Sequence, residues 1–100
     1  MIIRMFDTAV DPEDVERGKE IFRSAVKPVF GALKGCHGIE LLLGLEEHSG
    51  GLVDVAAIAR WDSREAIESA METDEYKDAL AELKALFQQT PIVRHFEVID

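Results

Sequence analysis

"ARWDSREAIESAMETDEYKDAL", residues 59–80, carries three signals in succession: the end of an apolar run at Trp61, a cap, and an amphipathic segment interrupted once. Asp62 with Glu65 three residues on has the spacing of a capping box, and Ser63 is the alternative cap. Ala66, Ile67, Ala70 and Met71 form a first apolar patch. Tyr76, Ala79, Leu80, Leu83, Leu86 and Phe87 form a second with i, i+3, i+4 spacing. Thr73 can cap the second piece, so the spacing predicts two short helices or one bent one, ended by "QQTP" because Pro91 cannot continue a helix.

Working outward, "IELLLGL" (39–45) and "LVDVAAIARW" (52–61) flank "EEHSGG", and this pattern predicts an antiparallel hairpin. "IIRMFDTAV" (2–10) reads as a first strand, with Ile3, Met5, Asp7 and Ala9 on one face and Arg4, Phe6, Thr8 and Val10 on the other. Asp11 then offers an N-cap and Pro12 a first helical position. Val15, Phe22, Ala25, Val26, Val29 and Leu33 continue at helical spacing, Pro28 is expected to kink or restart the helix, and "KGCHG" to stop it. "IVRHFEVI" (92–99) is the last strand. The order is β-α-β-β-α-β, a ferredoxin-like α+β fold with two helices on one face of a four-stranded antiparallel sheet. On the third strand Val53, Val55, Ala57 and Ala59 occupy one face, and Ala56 and Ile58 lie between Asp54 and Arg60 on the other. Two partly apolar faces predict burial of both, and a second copy of the chain is the simplest cover.

One hundred residues suit a single domain spanning 1–100, with a core that hides about two thirds of the unfolded surface. Eleven Lys and Arg against twenty Asp and Glu give a formal charge of −9, which argues against nucleic acid and anionic membranes as partners. "MIIRMF" is too short and too soon interrupted for a signal sequence, and no run approaches the roughly 20 apolar residues of a spanning helix. A cytoplasmic protein is expected, and the lone Cys36 fits a reducing compartment.

"GC" at 35–36, "WDSREA" at 61–66 and "TDEY" at 73–76 together resemble the antibiotic biosynthesis monooxygenase domain of the dimeric α+β barrel superfamily. The resemblance implies a homodimer whose two sheets pack into a barrel, with a cavity between sheet and helices that admits flat aromatic compounds. It further implies oxygenation of a phenolic or quinol-like compound by O₂ with no metal or flavin cofactor. This chain departs from the pattern at Ala70, where quinol-oxidising members often carry a His. The haem-degrading members' Trp and His would fall near Ala70 and Leu80, and that pair is absent. A non-catalytic ligand-binding or oligomerisation module of the same fold is the alternative.

Cofactor-free oxygenation needs a desolvating site and a base that takes the substrate's proton. Of the three histidines, His37 lies between two glycines and His48 at a hairpin tip, which leaves His95 in the last strand as the candidate base. Phe6, Asp54, Arg60 and Trp61 are the candidate substrate-binding residues. Trp61 either packs the sheet against the second helix or walls the cavity. Asp54 with a neighbouring Arg either bridges the dimer interface or forms the polar end of a ligand pocket. No HxxxH, CxxC or comparable metal spacing occurs.

Overall fold

In the computed structural model, residues 1–46 and 49–100 are described, and Glu47 and His48 lie outside them. Four strands, β1 (Ile2–Val10), β2 (Cys36–Leu43), β3 (Val53–Trp61) and β4 (Ile92–Glu97), form one sheet in the order β2-β3-β1-β4. Every neighbouring pair is antiparallel. The predicted α+β, ferredoxin-like arrangement is the one observed, with the helices packed on one face.

The first helical arm comprises α1 (Val15–Ile21), a π-helical turn (Phe22–Val26) and α2 (Lys27–Ala32). The disturbance expected from Pro28 takes the form of this widened turn. Proline has no N–H and its ring presses on the carbonyl four residues back, and the Lys27 N–H reaches the Phe22 carbonyl across the wider turn. The helix ends at Ala32, and Gly35 adopts φ 82°. A Cβ on Gly35 would stand 2.7 Å from that of Ala66, so this position needs glycine both for its backbone and for its space. Strand β2 begins at Cys36, earlier than the predicted Ile39. Cys36 pairs with Trp61, and a register shift between Cys36 and Ile39 restores the regular ladder.

The second arm is two helices, α3 (Arg64–Met71) and α4 (Asp74–Lys84). Ser63, the alternative cap, is the one used: its Oγ accepts from the Ala66 N–H at 3.1 Å, while Asp62 turns to His37. Thr73 caps α4 as predicted, accepting from the Tyr76 N–H at 3.2 Å. Leu86 and Phe87, predicted within this helix, lie beyond its end. Phe87 bridges Val10 and the Gln88 N–H donates to the Ala9 carbonyl, so the chain has already joined the edge of β1.

The core lies between this helical layer and the sheet. Phe22, Val26 and Phe30 from the first arm meet Ala57, Ala59 and Trp61 from β3 and Tyr76, Leu80 and Leu83 from α4. Antiparallel partners point to the same side of a sheet. Phe6 opposite Ala57, Arg4 opposite Ala59 and His95 opposite Arg4 therefore share the helix-covered face. Ile3, Met5, Ile58, Leu42 and Phe96 fall on the other face, away from the helices. There Leu42 remains 41% exposed, Phe96 46% and Ile92 57%, values high enough to mark this side as an unpartnered apolar surface.

Candidate functional site

A cavity of about 410 Å³ opens between α1 and the β2–β3 half of the sheet. Its apolar lining comes from the sheet, with Phe6, Leu41 and Val55, from the first arm, with Phe22, and from α4 and the chain after it, with Leu83 and Phe87. Phe6 and Phe87 meet edge to face with centroids 5.2 Å apart, the geometry that suits aromatic quadrupoles. Gly18 of α1 also lines the space, and a Cβ there would be in ordinary contact with Leu86. The volume lies within the range of small-ligand sites, and apolar walls favour a hydrophobic occupant.

Deeper in the core is a pocket of about 30 Å³, too small for an aromatic ring, which shares Phe6, Phe22, Ile39, Ala57 and Leu83 with the outer cavity. It adds Arg4, whose Nη1 lies 2.8 Å from His95 Nε2. A guanidinium only donates, so Nε2 accepts and the neutral ring carries its proton on Nδ1. Burial lowers the His95 pKa first, and the charges of Arg4 and Arg64 lower it further, so the ring is neutral near pH 7. A neutral imidazole is the form able to take a proton. Its lone pair at Nε2 is occupied by Arg4 at rest.

The five candidate residues are divided between the two faces of the sheet. Phe6 lines both the cavity and the inner pocket. Trp61 is 0% exposed and packs edge to face against Phe30 with centroids 6.2 Å apart; it lines neither space. Its indole N–H has no hydrogen-bond acceptor among the described residues. His95 reaches the inner pocket through Arg4. Asp54 and Arg60 stand on the uncovered face, six residues apart along β3, roughly 20 Å at strand rise. Arg60 pairs with Glu40 at 2.8 Å instead of with Asp54.

Other chemistry-bearing groups lie elsewhere. His37 pairs with Asp62 beside the β2 start, and burial raises the Cys36 thiol pKa, which keeps it protonated. His48 falls outside the described residues. Among the described residues no three His, Cys, Asp or Glu side chains gather in a metal-binding group. No helix among them is long and apolar enough to cross a membrane. The pairing of Arg4 escaped the sequence reading because its partner is 91 residues away, and only the β1–β4 register joins them.

Comparison with solved structures gives the same fold. An antibiotic biosynthesis monooxygenase crystal structure matches at a TM-score of 0.74 and 16% identity, with all of both chains covered. A Mycobacterium tuberculosis protein matches at 0.71 and 17%, covering 99% of this chain and 95% of that one. An anthrone oxidase-like protein matches at 0.80 and 17%; 99% of this chain corresponds to 44% of that larger chain. No curated protein sequence matches. The profile of the antibiotic biosynthesis monooxygenase family matches residues 1–82, and on that span, which runs from β1 into α4, the chain belongs to that family.

Proposed function

We propose that this protein is a cofactor-independent monooxygenase that binds a small aromatic, phenolic or quinol-like compound between its helices and sheet. The observation that carries the reading is the 410 Å³ apolar cavity, walled by Phe6, Phe22 and Phe87, in a chain of this family. The likeness to an anthrone oxidase-like protein supports a fused-ring substrate with an acidic C–H or O–H.

In this reading Phe6 contacts the ring, and its rotation joins the outer cavity to the inner pocket beside Arg4. On binding, the substrate's oxygen draws the Arg4 guanidinium away from His95. The freed Nε2 then takes the substrate proton, and Arg4 stabilises the anion in a site that excludes water. The carbanion adds to O₂, forming one C–O bond and a peroxide anion. That anion recovers the proton from His95 and loses water to leave a carbonyl. Substrate CH₂ and O₂ become C=O and H₂O, so the substrate supplies all the electrons.

The functional unit in this proposal is a homodimer built on the uncovered sheet face. Leu42, Ile58 and Phe96 supply its apolar contact, and Asp54, Arg60 and Glu40 its polar positions. Trp61 holds β3 against α2 and α3 from within the core. A reducing cytoplasm suits the single thiol.

Oxygen uptake with a panel of quinols and anthrones tests the chemistry. Turnover by wild type that drops at least about tenfold in His95→Gln, with ligand binding retained, supports it. Binding without oxygen uptake by any compound would instead establish a non-catalytic ligand-binding module. That second reading is favoured by one feature, the engagement of His95 Nε2 by Arg4 at rest.

A further inference from the structure

On an acidic chain, one edge of the cavity carries a row of cationic side chains. Lys19, Arg23 and Lys27 all line it, three of the eleven Lys and Arg in a protein of net charge −9. Their spacing, i, i+4 and i+8, places them along one stripe of the first helical arm. The π-helical turn contributes to this alignment. Its wider turn bonds the Lys27 N–H to the Phe22 carbonyl, five residues back, and so brings Lys27 over Phe22, a wall of the cavity. Lys19 is half-buried against the opening, while Arg23 and Lys27 are exposed at its edge.

Acids stand beside two of these cations and leave Lys27 unpaired among the described residues. Glu16 pairs with Lys19 at 3.2 Å and Glu20 with Arg23 at 3.5 Å, both exposed contacts of little strength that another anion can displace. Of the two acids in the lining, Glu40 is held by Arg60 on the other face of the sheet, and Asp14 sits just before α1, five residues ahead of Lys19.

We infer that the cavity selects aromatic compounds bearing a ring carboxylate, with the rings among Phe6, Phe22 and Phe87 and the carboxylate at Lys19, Arg23 and Lys27. The inference rests on the reading of this cavity as the aromatic site. An apolar pocket sets size and flatness, and a cationic rim adds attraction for an anion and faster capture, which an acidic protein otherwise lacks.

Calorimetric titration of the full-length protein with naphthoate and with its uncharged isostere naphthamide separates these contributions. The expected result is naphthoate binding about tenfold tighter, a preference that shrinks as salt is raised. In the double variant Arg23→Glu with Lys27→Glu, circular dichroism is expected to be unchanged and the preference lost. Equal binding of the two compounds would overturn the anion preference and leave the aromatic site standing. A preference that survives in the double variant would also overturn it, since the anion would then sit elsewhere. Binding of neither compound would overturn both this inference and the aromatic reading.

Discussion

Arg4 and His95 stand opposite each other on β1 and β4, and the guanidinium donates to imidazole Nε2 at 2.8 Å. The contact requires a neutral His, because a protonated ring has no lone pair to offer and would face a second cation. His95 therefore has its pKa lowered below the ordinary 6.5, by burial first and then by Arg4 and Arg64. The unfolded chain takes up this proton more readily than the folded one. The stability contributed by the contact is thus fully present above about pH 6.5 and is lost as pH falls through the folded-state value. Urea unfolding across this range should show stability declining on acidification, and His95→Gln should flatten that decline. An identical slope in the variant would show that the pair does not titrate as described.

Gly35 lies where the first arm turns into β2, with φ 82° and 2.7 Å of room before Ala66. Gly35→Ala is expected to destabilise the fold by about 1–3 kcal/mol, from backbone strain and overpacking together. Thermal or urea unfolding measures it.

Ser63 and Thr73 each accept one helix-starting N–H. Ser63→Ala and Thr73→Ala should each cost about 1 kcal/mol. The two caps serve different helices and share no partner, so the double variant should cost nearly their sum. Chemical denaturation of the three variants reads this directly.

Phe96 remains 46% exposed on the uncovered sheet face, where the proposed second copy docks. Phe96→Asp would place a charge in that contact and should convert a dimer into a monomer in light scattering, with the helical circular dichroism signal retained. Wild-type protein that is already a stable 11.2 kDa monomer at micromolar concentration would remove the dimer proposal.

Much of the frame was legible because it depends on short-range spacing. The alternation along 52–61 separates the helix-facing Val55, Ala57, Ala59 and Trp61 from Asp54 and Arg60. The same alternation explains why those two could not share a pocket with Trp61. Thr73 marked the start of α4, and Tyr76, Ala79, Leu80 and Leu83 fell in the core as their period required, whereas the helix ended at Lys84, well before Pro91. Less legible was anything set by register or by a local change of helical pitch. The Arg4–His95 contact joins the two ends of the chain. The cationic stripe at Lys19, Arg23 and Lys27 is visible as spacing, but its place on a cavity edge depends on a π turn and on the position of β2. The sequence also allowed two caps for α3, and the choice of Ser63 follows from Asp62 being drawn to His37.

Occupation of the cavity by an aromatic compound is tested most directly by amide chemical-shift mapping of the labelled protein titrated with dihydroxynaphthalene. The prediction is saturable shifts centred on Gly18, Phe22, Leu41 and Val55, around the 410 Å³ cavity, with the uncovered sheet face unaffected. Shifts confined to that face, or none at millimolar ligand, would contradict it.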